Sequence, residues 1–278
     1  MLTYNQLSVI SHKKLLPKQH EYIDSTLDSL VKFDEAYIRS LVNIGDTDIF
    51  ESSISALITE LQVSKPSLSQ HSKKLKLHLQ VAMENYYSAV NILEEWLVDE
   101  VYIYNGRFPK YRPILRVANK IGLAVKVYEY PYSGYENYIV IDGTYPHDYR
   151  NTSKQIQQVV TLSHLTEEKI INEGANWFTE RMINKTQMEA PMLGTFNYWQ
   201  TIGEIGDWED SLYNIVFYVA SEHEYYAIKE VRETHPYGQI DALRAILSGT
   251  RTAVIHVRIH PNLQNRDSLF INQIMDLK

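Results

Sequence analysis

Hydrophobic residues recur every three or four positions through most of the first hundred residues, a period that predicts helices rather than strands. The pattern runs from Pro17 to Val42 and from Ile49 to Leu61, with Asn43-Ile-Gly-Asp-Thr-Asp48 as the break between them. A longer stretch opens at Pro66-Ser-Leu-Ser69 and carries Leu75, Leu79, Ala82, Met83, Tyr86, Val90, Leu93 and Leu97 on one side. No strand pattern comes before the run that contains Val101.

From residue 100 onward the period changes. Strands are predicted over Glu100–Tyr104, Ala124–Glu129 and Tyr138–Asp142. A helix is expected over Tyr111–Lys120, ending at Gly122, and helix returns over Thr152–Asn184. Strand, short helix and strand at this spacing imply a parallel βαβ unit with a right-handed crossover. Met188–Asp210 is mixed in character, with Pro191, three glycines and two tryptophans, and reads as a linker. A second unit follows: a strand at Asn214–Ala220, a helix at Gly238–Ser248, a strand at Ala253–Ile259 and a last helix at Asp267–Leu277.

The expected organisation is thus α/β. A mainly helical region (1–98) leads into a Rossmann-like domain (99–190), then a linker (191–212) and an incomplete second Rossmann-like unit (213–278). Two strands and two helices are too few for a stable doubly wound domain. The strand edge they leave is expected to associate with another chain, giving an oligomer or a poorly soluble monomer.

Composition narrows the classes. At 278 residues, with 44% hydrophobic and 22% charged residues, the chain is an ordinary globular protein of about two domains. A net charge of −7 without a dense Lys/Arg block argues against a nucleic-acid partner; Lys73-Lys74-x-Lys76 reads as a solvated helix face. With no cysteine, disulfides, thiolate zinc sites and Cys nucleophiles are excluded. No apolar run approaches the ~18 residues of a transmembrane helix. Met1–Gln19 also lacks a signal-peptide core, so a cytoplasmic location is expected. The 21 tyrosines suit half-buried strands, and their flat faces with polar tips also suit sugar rings.

Candidate chemistry sits at the strand ends, where open α/β sheets place their ligands. On Ala253–Ile259 one face carries Val254, His256 and Arg258 and continues to His260, although a strand in a parallel sheet should be apolar on both faces. These side chains need partners. Either Arg258 and His260, beside Pro261, grip a phosphate, or they pair with nearby carboxylates. Asn105-Gly106-Arg107 follows the first strand. Gly106 permits a left-handed turn or close approach to a ligand, while Asn105 and Arg107 offer donors; a plain turn with a surface arginine is the competing reading. Glu129 and His147-Asp148 follow the next strands. Either carboxylate could act as general base toward a hydroxyl, with Asp148 preferred because His147 could orient it. Ser221-Glu-His-Glu224 holds the matching position in the second unit, offering Ser221 and Glu224 as ligand contacts. It is not a metal box, since no HExxH occurs and no third ligand stands at helical spacing. GxGxxG, GxxxxGK[ST] and GxSxG are also missing, which argues against a dinucleotide dehydrogenase, a P-loop NTPase and an α/β-hydrolase.

In these residues the chain resembles bacterial capsule and lipopolysaccharide biosynthesis proteins of the GT-B type. The likeness lies in Tyr104-Asn-Gly-Arg107 with Tyr111-Arg112, in Tyr128-Glu129 and in Pro146-His-Asp148. It continues through Ala220-Ser-Glu-His-Glu224, Gln239 and Arg258-Ile-His-Pro-Asn262, in the expected order over roughly residues 95 to 278. The resemblance implies a glycosyltransferase of surface polysaccharide biosynthesis, moving a sugar from a nucleotide-sugar donor to a glycan acceptor. It implies no cofactor and no metal, the nucleotide-sugar being the substrate. The first α/β domain would hold the acceptor, with Asn105, Gly106, Arg107 and His147 as contacts and Asp148 or Glu129 catalytic. The second would hold the donor through Ser221, Glu224, Arg258, His260 and Pro261. Family members continue past the His-Pro strand and start with an early β-strand, so a truncated form is expected here. The alternative is a non-catalytic accessory protein of the same lineage that binds glycan or a partner transferase. Peripheral association with a membrane glycan-assembly complex is a further expectation.

Overall fold

The computed structural model describes residues 15–42, 44, 47–129, 139–182, 208–234, 238–250, 252–259 and 269–277. It is a mixed α/β protein whose contacts divide it into two units. The first comprises residues 1–61, 66–128 and 140–146, and the second comprises 62–65, 129–139 and 147–278.

In the first unit, helices α1 (Pro17–Asp28), α2 (Glu35–Val42), α3 (Ile49–Leu61) and α4 (Ser72–Glu95) precede strand β1 (Glu100–Tyr104), helix α5 (Arg112–Lys120), and strands β2 (Ala124–Glu129) and β3 (Ile139–Asp142), of which only the end residues Glu129 and Ile139 fall to the second unit. The single helical run expected over Pro17–Val42 is two helices, parted at Ser29–Asp34. Pro17 occupies the first turn of α1, where its missing N–H costs nothing, and the Leu16 N–H donates to Gln19 Oε1 at 2.8 Å. The apolar stripe foreseen on the long helix is the core of this unit: Leu75, Leu79, Ala82 and Met83 of α4 are buried. Helix α4 packs on α3, α5 and α1, so the helical region and the first strands share one core. Gln19 and Asn91 exchange side-chain amide hydrogen bonds of 3.0 and 2.8 Å, tying α1 to α4.

The sheet order is β1-β2-β3, and β1 pairs with β2 in parallel from Glu100↔Ala124 to Tyr104↔Tyr128. Ile103, Val125 and Val127 are its buried residues on these strands. A charged knot anchors the far side of α5. Arg112 is fully buried, and its Nε and Nη2 reach Asp48 Oδ2 at 3.0 and 2.9 Å. Arg116 Nε reaches the same oxygen at 2.6 Å, while Arg112 Nη1 donates to Tyr145 Oη at 3.2 Å.

Between α1 and α4, Tyr22 and Tyr86 both meet the Tyr87 ring edge-on, at centroid distances of 6.1 and 5.0 Å. Burial, with the neighbouring phenols Tyr22 and Tyr86, pushes the Tyr87 hydroxyl up from the ordinary 10 to about 12. A raised folded-state value stabilises the fold fully below the ordinary value and is lost as pH climbs through the raised one. Wild-type protein should therefore lose stability between pH 10 and about 12, and Tyr87→Phe should flatten that loss. Alkaline unfolding followed by circular dichroism, with tyrosinate absorbance read in parallel, checks this. An unchanged pH slope in the variant would show that Tyr87 is not the group responsible.

The second unit holds α6 (Tyr149–Leu162), α7 (Glu167–Met182), β4 (Tyr213–Val219), α8 (Glu222–Tyr226), α9 (Lys229–Thr234), α10 (Gln239–Gly249), β5 (Ala253–Ile259) and α11 (Leu269–Met275). The continuous helix expected over Thr152–Asn184 is broken at Ser163–Thr166, where His164 takes a left-handed φ of 55°. Most of the expected linker lies outside the described residues. Strands β4 and β5 pair in parallel from Tyr213↔Ala253 to Val219↔Ile259. The connection between them carries α8 and α9, two short helices that periodicity did not foresee, because five and six residues are too few to show a period. Ile240 and Leu243 of α10 are buried. Among the described residues, no helix is long and apolar enough to cross a membrane.

Candidate functional site

A concavity lies in the second unit at the carboxyl end of β4. There Tyr218, Ala220 and the helices α8, α9 and α10 enclose a cavity of about 650 Å³. Such a volume is typical of small-molecule sites, and the carboxyl end of a parallel strand is where open α/β sheets bind ligands. Tyr149, Tyr218, Tyr225 and Tyr226 supply much of the wall. His147, Glu222, Arg232 and Gln239 bring the polar groups.

Local hydrogen bonding explains how the cavity is held open. The Gln239 side chain clamps the backbone where β4 ends, accepting from the Ala220 N–H at 2.8 Å and donating to the Ala220 carbonyl at 3.0 Å. One side chain thus satisfies both backbone groups of the residue after the strand. Ser221 begins α8, is almost wholly buried, and its Oγ has no hydrogen-bond partner among the described residues. Glu222 turns back to the start of α10: its Oε1 accepts from the Gln239 N–H at 3.2 Å and its Oε2 from Ser64 Oγ at 3.1 Å. Gly238 is needed for this approach, since a Cβ there would lie 2.7 Å from Glu222 Oε1. Arg232 Nη1 donates to the Tyr226 carbonyl at 2.8 Å, and Lys65 Nζ stands 5.1 Å from the Tyr226 ring centroid.

The residues singled out from sequence fall in different places. Ser221 is buried beside the cavity, whereas Glu224 is exposed on α8 and does not line it. Arg258 is exposed on β5, its guanidinium 5.9 Å from the centroid of Tyr218, a cavity wall residue and its register partner. His260 and Pro261 lie outside the described residues. His256, on the same face as Arg258, finds a structural partner. Its Nε2 meets Asn214 Oδ1 at 2.9 Å, and its ring stacks on Trp208 at 5.4 Å. Asn214 Nδ2 already donates to the Glu209 carbonyl at 2.8 Å, so the imidazole Nε2 carries the hydrogen of that contact.

Asn105, Gly106 and Arg107 belong to the first unit, and Glu129, His147 and Asp148 to the second. The Asn105-Gly106 turn is left-handed at both residues, with φ of 60° and 71°. Asn105 N–H donates to the Tyr128 carbonyl at 2.9 Å and Asn105 Oδ1 accepts from the Arg107 N–H at 3.2 Å, which stabilises a conformation that costs most residues energy. A Cβ on Gly106 would sit 2.9 Å from Tyr145 Cβ. The glycine therefore serves close packing inside the unit as well as the turn. The Arg107 guanidinium lies 4.4 Å from the Phe108 ring centroid. Asp148 precedes α6, and its Oδ2 accepts from Asn151 Nδ2 at 2.7 Å. His147, its neighbour, lines the cavity.

Sequence reasoning passed over Glu222, Tyr225, Tyr226, Arg232 and Gly238. Two signals bore on them: the excess of tyrosine, and the Ser221–Glu224 cluster, in which the turn of α8 rather than residue type selects Glu222. Among the described residues no three His, Asp or Glu side chains are grouped so as to hold a metal ion. Comparison of the chain with protein-family models, with curated proteins and with solved structures finds no match.

Proposed function

We propose that this protein is a GT-B-like glycosyltransferase of surface polysaccharide biosynthesis, passing a sugar from a nucleotide-sugar to a capsule or lipopolysaccharide glycan. The observation that carries the reading is the tyrosine-walled cavity of about 650 Å³ at the carboxyl end of the parallel pair β4 and β5. Flat phenol rings with polar tips suit sugar and base rings, and the cavity's few polar groups suit hydroxyls. In this reading the second unit takes the donor, with Tyr218 as a stacking wall and Arg258 beside it for the diphosphate. Asp148 serves as the base toward the acceptor hydroxyl, oriented with His147.

Calorimetric titration of the full chain with a panel of nucleotide-sugars, followed by turnover assays on a lipid-free glycan acceptor, tests the proposal. One donor class is expected to bind, and Tyr218→Ala to weaken it by about tenfold or more, as loss of a stacking face does. Binding and turnover that survive Tyr218→Ala unchanged would remove this cavity from the reaction. Binding of glycan alone, with no nucleotide-sugar hydrolysed or transferred, would replace the transferase by an accessory glycan-binding protein.

A further inference from the structure

The start of α10 is the place where an α/β protein of this kind would ordinarily receive a phosphate, since the first backbone N–H groups of a helix face outward there. In this chain the position is filled. Gly238 precedes the helix with extended backbone (φ −74°, ψ 170°) and brings no capping side chain, and the Gln239 N–H donates instead to Glu222 Oε1 at 3.2 Å. A phosphate arriving there would displace one anion and face it at close range, which like charges oppose. The glycine is what admits the carboxylate, as a Cβ would stand 2.7 Å from Glu222 Oε1.

A second group meets the same spot. Tyr226 Oη lies 3.5 Å from the position that Cβ would take, is buried, and has no hydrogen-bond partner among the described residues. A buried phenol without a partner loses free energy until something supplies one. Glu222 has lone pairs beyond those used by Gln239 and Ser64, so a carboxylate acceptor and a phenol that can donate or accept stand together at one end of the cavity. Vicinal hydroxyls satisfy both groups at once. Phosphate keeps a P–OH donor at neutral pH, but its negative charge opposes the Glu222 carboxylate at this range, whereas a neutral hydroxyl meets no such cost.

We infer that this end of the cavity binds the hydroxyl-bearing, uncharged ring of the ligand and excludes phosphate, with Glu222 accepting from one ring hydroxyl and Tyr226 bonded to its neighbour. The inference rests on the reading of this cavity as the donor side. A pyranose and a nucleoside ribose share the required chemistry, and the probes separate them.

The experiment is ligand-observed NMR on the full chain with three probe sets: methyl glycosides, nucleosides and inorganic phosphate. One neutral set is expected to bind wild-type protein, and phosphate not to compete with it. Tyr226→Phe, which removes one oxygen, should weaken that neutral probe about fivefold or more, and Glu222→Gln about tenfold or more. Gly238→Ala, whose backbone suits alanine, should push Glu222 aside, weaken the neutral probe and let phosphate bind. Competition by phosphate in wild type, failure of every neutral probe to bind, or unchanged binding in Tyr226→Phe would each overturn the inference. A neutral ring that binds as stated while no nucleotide-sugar is consumed would keep it and sink the transferase. Phosphate competition together with sugar transfer would do the reverse.

Discussion

Asp48→Asn is expected to destabilise the first unit by about 3–5 kcal/mol, the usual loss when one partner of a buried ion pair is removed. Arg112 is fully buried and directs two guanidinium nitrogens at Asp48 Oδ2, at 3.0 and 2.9 Å. An amide in place of the carboxylate removes the charge that both nitrogens meet, and the Tyr145 hydroxyl is a neutral neighbour. Asparagine is the informative substitution because Asp48 has a left-handed φ of 56°, which asparagine tolerates and alanine does not. The backbone cost is thus held constant and the charge alone is changed. Arg116 reaches the same carboxylate, but a third of its side chain is exposed, so Arg116→Met should cost under about 1 kcal/mol. Urea denaturation followed by circular dichroism measures both. A loss below that of Arg116→Met in the Asp48→Asn protein would show that the knot is not what joins α5 to the loop before α3.

Under the proposed function, Asp148→Asn is expected to lower the rate of sugar transfer about 10²–10⁴-fold, the contribution a positioned general base makes. The substitution separates chemistry from folding. The Asp148 carbonyl accepts from the Thr152 N–H and from Thr152 Oγ1, both at 3.0 Å, and asparagine leaves these backbone bonds at the start of α6 intact. The proton-accepting power of the carboxylate is lost, while an amide oxygen can still accept from Asn151 Nδ2. Initial rates with the donor that wild-type protein uses, alongside thermal unfolding of both proteins, make the comparison. Full activity in a folded variant would take Asp148 out of the mechanism and leave Glu129 as the remaining carboxylate named for the role.

Much of the fold could be read from periodicity. Strands Glu100–Tyr104, Ala124–Glu129 and Ala253–Ile259 stand where alternation and apolar runs placed them, and the buried stripe Leu75, Leu79, Ala82 and Met83 follows the helical period. Helix breaks were harder. Ser29–Asp34 and Ser163–Thr166 contain no proline or glycine to announce them, and the second is turned by His164 in a left-handed conformation that few residue types favour. The candidate site was legible only in part. Ser221, singled out after a strand end, is buried next to the cavity-lining Ala220 and Glu222, but Glu224 faces solvent while Glu222 turns inward. Within a four-residue polar cluster, composition cannot decide which side chain faces the cavity until the helical turn is placed.

By itself the sequence determined the longer elements and their order, though not the short helices α8 and α9, because helix and strand period are written locally in which residues must be buried. It also determined where a ligand would be sought, since each parallel strand ends in polar residues. What only the tertiary structure decided are the contacts made far along the chain: Asp48 with Arg112, 64 residues apart, Glu222 with Gln239, 17 apart, and Gln239 with Ala220, 19 apart. None of these has a period. Each depends on turns and packed helix ends that bring distant parts of the chain together, with Gly238 making room for Glu222, and that geometry exists only once the core has formed.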